Sequence, residues 1–290
     1  MKTLILVFIS IVTIQITLYS QKFYIKTSFG YGMESQKSDY PEISKYTKVV
    51  VDTSISYNKY DLTRLSFGRG LFLDITIGTK VHKNISFELT GFYNFSNSHK
   101  AEIEDYTNIY DEYFIDVDYN FELTGKMFGV KPLLQLSGNG KKINPYIKLG
   151  GILGFCSMKE TMDMNLRHSI PQAYFTGLIN SVLKYQKKLT LGYQVSLGLE
   201  YYLFKTFWII GEVSHASIQY NPTKAIYSSY VIDRKEIVDE LSVSEREMEF
   251  VDNFSDIDND SQSTPWKTLR KRYSFSSLNF SIGLKMNLFN

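Results

Sequence analysis

His215 and Ser217 are the two residues whose types and spacing could most directly support catalysis. A histidine that takes the proton of a serine hydroxyl turns that hydroxyl into a nucleophile for esters. On a β-strand, residues two positions apart share a face with Cβ atoms ~7 Å apart, so the imidazole ring could bridge them. An esterase also needs a group that orients the base. Glu212 has the opposite strand parity, which leaves loop carboxylates such as Asp233 or Glu236 for that role.

A second chemical pattern is the acidic triplet Asp256, Asp258 and Asp260, whose spacing opens a calcium-binding EF-hand loop. The sixth position of such a loop is here Ser261 instead of glycine, and the twelfth is Lys267 instead of glutamate. The match therefore fails at the turn and at the bidentate ligand, and we interpret the segment as a solvated acidic loop. One cysteine excludes an internal disulfide and any multi-cysteine zinc site. We expect no metal and no cofactor.

The composition of the 290-residue chain narrows the class of protein that carries these residues. A mean hydropathy of −0.18 with 21% charged residues is too polar for a polytopic helical membrane protein. The 22 Tyr, 20 Phe and 2 Trp exceed what a disordered chain carries. A net charge of +2 gives no reason to expect nucleic acid as a partner. Many aromatics with only 6 Pro favour strands.

The N-terminus has the pattern of a secretory signal peptide. Lys2 supplies a positive charge, 4–18 is mostly apolar, and the small residue Ser20 ends the run. The run is shorter than the ~18 apolar residues of a membrane-spanning helix. The sequence therefore predicts a signal peptide over 1–20, cleaved before Gln21, and an exported domain over 21–290.

The exported part contains eight runs in which apolar residues alternate with Gly, Ser, Thr and single charges. Alternation with period 2 predicts strands that have two different faces. The runs cover 23–31, 65–77, 85–95, 119–136, 147–155, 189–203, 207–213 and 278–288.

The connections between the runs alternate in length. Those at 80–84, 137–144 and 204–206 are short turns, whereas 34–64, 98–118, 156–188 and 221–272 are long. Short turns at one end and long loops at the other are typical of outer-membrane barrels. The predicted fold is an all-β, eight-stranded antiparallel transmembrane β-barrel with short periplasmic turns and long extracellular loops. A soluble lipocalin-like barrel, with its apolar face inside, is the alternative.

The placement of charges favours the apolar face outside. Arg69 is the one charge in the central part of an apolar face, near the long-loop end where it can snorkel. The polar faces carry one charge per run, and the small residues around them suit the narrow interior of an eight-stranded barrel. We expect these charges to form a belt in the lumen near the periplasmic end: Lys26, Asp74, Glu88, Lys131, Lys148, Glu200, Glu212 and Lys285. Pairing between neighbouring strands would give Lys26–Asp74, Glu88–Lys131, Lys148–Glu200 and Glu212–Lys285.

The long connections differ in charge. Segment 231–260 holds eleven acidic and three basic residues, and 98–118 holds seven acidic residues and one lysine. Segment 156–188 is instead basic, through Lys159, Arg167, Lys184, Lys187 and Lys188. A basic patch near the outer leaflet could attract lipopolysaccharide phosphates, although an ordinary solvated loop is the better explanation of the charges.

These features together resemble the eight-stranded outer-membrane β-barrel proteins of the OmpA/OmpX type. The resemblance covers about 22–290 and includes the segments 145–151 and 191–202, with Phe280, Gly283 and Phe289 resembling the terminal signal read by barrel-assembly machinery. It implies an outer-membrane location in a Gram-negative envelope, with outer-membrane lipid, lipopolysaccharide and the assembly machinery as partners. Fold alone does not give function. We expect a non-enzymatic structural or surface-interaction role carried by the loops.

Two other functions remain open, as does a role as a subunit of a larger envelope complex, which no residue of the sequence tests. The His215–Ser217 pair is similar to the His-x-Ser motif of outer-membrane lipid A deacylases, which implies an esterase. That family's motif continues with Asn where this chain has Ile218, and Ser229 lies about where the family has Glu. A small passive pore is the other alternative, and a filled lumen would argue against it.

Overall fold

The computed structural model describes residues 23–52, 55–110, 113–170, 173–253, 255 and 261–288. The predicted signal peptide 1–20, the triplet Asp256, Asp258 and Asp260, and Phe289 lie outside these residues. Among the described residues no helix is long and apolar enough to cross a membrane.

Almost all of the described chain is in strands. In chain order they are β1 (Phe23–Glu34), β2 (Ser38–Asp52), β3 (Ile55–Leu65), β4 (Gly70–His82), β5 (Ile85–Ser96), β6 (His99–Tyr110), β7 (Tyr113–Ser137), β8 (Ile143–Ile170), β9 (Ala173–Phe204), β10 (Phe207–Tyr220), β11 (Lys224–Ile232), β12 (Lys235–Glu236), β13 (Glu247–Val251), β14 (Trp266–Leu269), β15 (Tyr273–Ser274) and β16 (Ser277–Asn287). One helix, α1 (Val243–Arg246), lies between β12 and β13.

Eight of these strands close into an antiparallel ring in the order β1, β4, β5, β7, β8, β9, β10, β16 and back to β1. Each ring strand contains most or all of one of the alternating runs. The predicted all-β antiparallel ring is therefore confirmed. Closure leaves no exposed sheet edge within the ring, so each ring strand has a hydrogen-bonded neighbour on both sides.

The long connections are mostly strands, which corrects the expectation of long loops. Segment 156–188 continues β8 and β9 as one hairpin whose partners run from Met158↔Tyr185 to Ile170↔Ala173. Segment 98–118 is the hairpin of β6 with the first half of β7, and β2 pairs with β3 as a separate two-stranded sheet. In 221–272, β11 adds to the extended part of β9, and β13 and β14 follow. The ring's wall therefore continues as a sheet beyond one end of the barrel.

The second run is interrupted near its start. Its alternation places Phe67 on the outer apolar face, but the structure buries Phe67, at 1% exposure, inside the end of the barrel where the extended strands lie. The chain changes direction at Gly70, where φ is +143° and an added Cβ would lie 2.0 Å from the Phe95 carbonyl oxygen. Only glycine adopts such a conformation without strain, so the outward run begins at Leu71 rather than Leu65.

A hydrophobic cluster fills that end of the barrel, which we call the mouth. Its aromatic centre comes from the inward loop before β4 and the segment before β16, with Phe67 and Phe275 at 5.3 Å and Phe67 and Tyr273 at 6.5 Å between ring centroids. Aliphatic residues from the ring strands pack around it, including Leu123, Ile152 and Ile218.

Candidate functional site

The outer face of the ring is apolar on every strand. Leu191 on β9 is 70% exposed, and Leu71, Ile75 and Ile77 on β4 are comparably open. The other ring strands present Phe29, Leu89, Leu134, Leu149, Val213 and Ile282 in the same way. A soluble monomer seldom exposes contiguous apolar patches larger than a few hundred Å².

The structure places all eight predicted belt residues inside the ring. Each side chain is at most 12% exposed. Period-2 alternation explains the shared orientation, because each residue is an even number of positions away from other inward residues of its strand.

Six of the eight charges form one alternating chain of ion pairs. Its links are Lys285–Glu200 (2.8 Å), Glu200–Lys26 (3.0 Å), Lys26–Glu88 (2.6 Å), Glu88–Lys148 (3.1 Å) and Lys148–Glu212 (2.7 Å). Lys131 and Asp74 form a separate pair at 2.9 Å. Positive and negative charges are equal in number, so the buried set is neutral. Buried charges are tolerated when they are paired and hydrogen-bonded in this way.

The predicted pairing between neighbouring strands is wrong, since none of its four pairs is formed among these eight described residues. Every pair instead skips at least one strand of the ring: Lys26 on β1 meets Glu88 on β5, and Lys131 on β7 meets Asp74 on β4. Closing a sheet into a barrel tilts and staggers the strands, so inward side chains of alternate strands come to share a layer. This stagger is not visible in the sequence of any one strand.

Three uncharged residues complete the network and were not identified from the sequence. The Tyr24 hydroxyl donates to Glu88 Oε1 (2.8 Å), the Tyr146 hydroxyl donates to Glu212 Oε2 (2.8 Å), and Lys26 Nζ donates to Gln135 Oε1 (2.7 Å). The alternation along each strand placed these three residues on the inward face. Their hydrogen bonds could not be predicted from the sequence, because each residue lies on a different strand from its partner.

The lumen therefore has two packed zones. The ionic network fills the short-turn end, and the hydrophobic cluster fills the mouth. Between them lies a cavity of about 20 Å³ bordered by Asp74, Lys131, Met127, Ile152 and Gln194. That volume holds about one water molecule.

His215 and Ser217 lie on the outer face of β10, as their parity requires, and both are half-buried. The ring centroid of His215 is 6.4 Å from that of Tyr193 on β9. Within the described residues no hydrogen bond joins His215 to Ser217 and no carboxylate contacts His215.

The two loop carboxylates considered for orienting the histidine have other partners. Asp233 Oδ1 accepts from the Leu178 amide (2.9 Å), and Glu236 accepts from the Ser229 hydroxyl (2.6 Å) and the Tyr230 amide (2.7 Å). These hydrogen bonds hold the pKa of Glu236 below its usual range. Val231, beside Glu236, pairs with Asn180, whereas His215 pairs with Val195. The two regions are about 50 Å apart along β9 at ~3.4 Å per residue.

No family model and no curated protein matches the chain. Among solved structures, CarO of Acinetobacter baumannii has 14% sequence identity, with 74% of this chain and 92% of that chain covered and a TM-score of 0.30. A FadL homologue of Pseudomonas aeruginosa has 6% identity, with 92% and 89% covered and a TM-score of 0.16. Both similarities are weak, and the architecture of this chain rests on its own strand pairings: a closed antiparallel ring with an apolar outside and a charged inside.

Proposed function

We propose that this chain is an integral outer-membrane β-barrel protein of a Gram-negative envelope, exported by the signal peptide 1–20. Its role is non-enzymatic, structural or in surface interaction, and is carried by the hairpins that extend beyond the barrel. Its partners are outer-membrane lipid and lipopolysaccharide, with barrel-assembly machinery acting during biogenesis.

One observation carries this proposal: the ring is inverted relative to a soluble barrel. Apolar side chains cover its outside on all eight strands, whereas four lysines and four carboxylates lie inside. On β9 the outward apolar residues extend from Leu189 to Leu203, which is longer than the ~9–11 residues that a tilted strand needs to cross the apolar core of a bilayer. In water this apolar surface would stay exposed to solvent, whereas in a bilayer the acyl chains of the lipids would cover it.

The proposed orientation follows from the two ends of the ring. Short turns join β4 to β5, β7 to β8 and β9 to β10 at one end, and β1 begins and β16 ends there as well. In outer-membrane barrels the short turns face the periplasm and the long connections face outward. The extended hairpins therefore face the outside of the cell.

Two observations support a non-enzymatic role over a lipid esterase. The His215 ring has an aromatic neighbour, Tyr193, and Glu236 is held at a distant hairpin by Ser229 and Tyr230. A base without a group to orient it is a poor activator of serine. The packed lumen likewise argues against a passive pore.

The orientation is tested by inserting an epitope tag at Asn253 or at Asn139. In whole cells we expect an antibody to bind the Asn253 tag and to reach the Asn139 tag only after the outer membrane is permeabilised. The mature protein, extracted from the outer-membrane fraction, should begin at Gln21. Recovery of the folded protein in the soluble fraction, or surface staining of the Asn139 tag, would contradict the proposal.

A further inference from the structure

A row of aromatic rings marks the mouth-side edge of the apolar band on one side of the barrel. It runs across β5, β7 and β8, with centroid distances of 4.3 Å for Tyr93–Phe95, 6.5 Å for Tyr93–Phe128 and 5.6 Å for Phe128–Phe155. Aromatic rings at such an edge are suited to the headgroup level of a bilayer.

Two lysines stand directly beside this row. Lys187 Nζ lies 4.1 Å from the ring centroid of Phe128 and 5.4 Å from that of Phe155. An irregularity in the β8–β9 register, between Cys156 and Met158, brings Lys187 to that position.

Lys126 is the next outward residue on β7 after Phe128, with Cβ atoms ~7 Å apart. It is exposed, and its register partners are Phe95 on β5 and Ser157 on β8. Neither neighbouring strand therefore places a carboxylate opposite it. Two cations thus bracket one aromatic ring at the boundary of the apolar band, an arrangement that is complementary to an anion.

An apolar groove of about 490 Å³ lies beside the same rings, on the side that faces the middle of the apolar band. Leu73, Ile75, Tyr93 and Phe128 border it, and Gly91 forms part of its floor. A Cβ added to Gly91 would meet only the Ile75 carbonyl oxygen, at 3.9 Å. The groove is thus open because the outward row of β5 lacks one side chain.

We propose that Lys126, Lys187 and the aromatic row bind the phosphorylated headgroup of an outer-leaflet glycolipid, with one acyl chain lying in the groove at Gly91. This inference rests on the proposed outer-membrane function. Phosphate forms charge-assisted hydrogen bonds with ammonium groups, and these strengthen where water is scarce. The acyl chain fits a groove that faces lipid and continues from the cations toward the middle of the apolar band.

The test is native mass spectrometry of the full-length mature protein, refolded in detergent. The probes are bisphosphorylated lipid A, dephosphorylated lipid A and phosphatidylethanolamine. We expect bisphosphorylated lipid A to bind at least about tenfold more tightly than either of the others, since each charge-assisted contact contributes about that factor.

Two variants test the binding of the lipid headgroup and the binding of the acyl chain separately. Lys126→Gln with Lys187→Gln should remove the preference for the phosphorylated lipid, whereas Lys141→Gln with Lys142→Gln, at a short turn on the opposite end, should not. Gly91→Leu should weaken binding of both forms of lipid A. Its control is Gly211→Leu, because Gly211 lies in another outer groove with nothing within 4 Å of an added Cβ.

The outcomes distinguish this inference from the proposed function. Equal binding of all three lipids by the wild type, or an unchanged preference in the Lys126 and Lys187 double variant, would overturn the lipid site. Preferred binding of phosphatidylethanolamine would assign the groove to an ordinary phospholipid and overturn it as well. Insertion into liposomes is measured on the same samples: a wild type that fails to insert contradicts the outer-membrane proposal itself.

Discussion

Lys26 and Lys285 face each other in register on β1 and β16, and both ammonium groups contact the same carboxylate, that of Glu200. Two like charges directly opposite each other destabilise a strand pair. Glu200 reaches them from β9, across the lumen, and its Oε1 atom lies 3.0 Å from Lys26 Nζ and 2.9 Å from Lys285 Nζ. The positive charge at the β1–β16 seam, where the ring closes, is thus balanced by a carboxylate that belongs to neither strand.

Glu200→Gln is therefore expected to destabilise the barrel. Removing one partner of a buried ion pair costs about 3–5 kcal/mol in a dry site, and water in the lumen would reduce that cost. Urea unfolding in detergent or lipid vesicles would measure it. Glu240→Gln is the matched control, because its pair with Lys235 is more than 60% exposed on both sides and such pairs contribute at most about 1 kcal/mol. Equal stabilities for the two variants would contradict the role given to Glu200.

The second prediction concerns ion flow. In planar bilayers the wild type should show no steady conductance, because the hydrophobic cluster and the ionic network close separate ends of the lumen. Phe67→Ala with Phe275→Ala should remain closed, since it opens the mouth and leaves the ion pairs in place. A large single-channel current from the wild type would show that the lumen is not packed in the membrane.

The third prediction is that the purified protein releases no fatty acid from lipid A, and that Ser217→Ala behaves identically. The hydroxyl of Ser217 has a histidine nearby, but in the described part of the chain no carboxylate contacts that histidine to orient it. Thin-layer or mass-spectrometric detection of released acyl chains measures this. Wild-type activity that disappears in Ser217→Ala would contradict the non-enzymatic role and identify His215 as the general base.

The fourth prediction concerns the hairpin of β11 and β12, outside the barrel. Ser229 donates to Glu236 and lowers its pKa, so Ser229→Ala should raise that pKa toward its ordinary value near ~4.3. A lowered folded-state pKa means that the contact stabilises the hairpin above the unfolded pKa and that this contribution is lost as pH falls through the folded one. NMR titration of the Glu236 carboxyl group gives the values. Ser263→Ala, whose hydroxyl partner is Ser261, should leave the titration unchanged.

The ring was predictable because period-2 alternation can be seen within a single strand. On β9, for example, outward Leu191 and Leu197 alternate with inward Gln194 and Ser196. The inward orientation of the charges follows from the same property. Their partners were not predictable, because Lys26 reaches Glu200 only through the stagger of strands that are far apart in sequence. The position of Phe67 was missed for a related reason: the chain changes direction at Gly70, which has a positive φ, without breaking the apolar pattern of the sequence.

The lengths of β7, β8 and β9, which are 25, 28 and 32 residues, have a mechanical consequence. From Phe155, at the edge of the apolar band, β8 continues for 15 residues to Ile170, a strand length of about 50 Å. In the proposed orientation the tip of the β8–β9 hairpin therefore stands well clear of the lipid headgroups. A molecule held at that tip is joined to the membrane by a sheet instead of a flexible tether. A force applied there would be carried by the backbone hydrogen bonds of the barrel wall, so in the proposed membrane location the hairpin would act as a stiff lever.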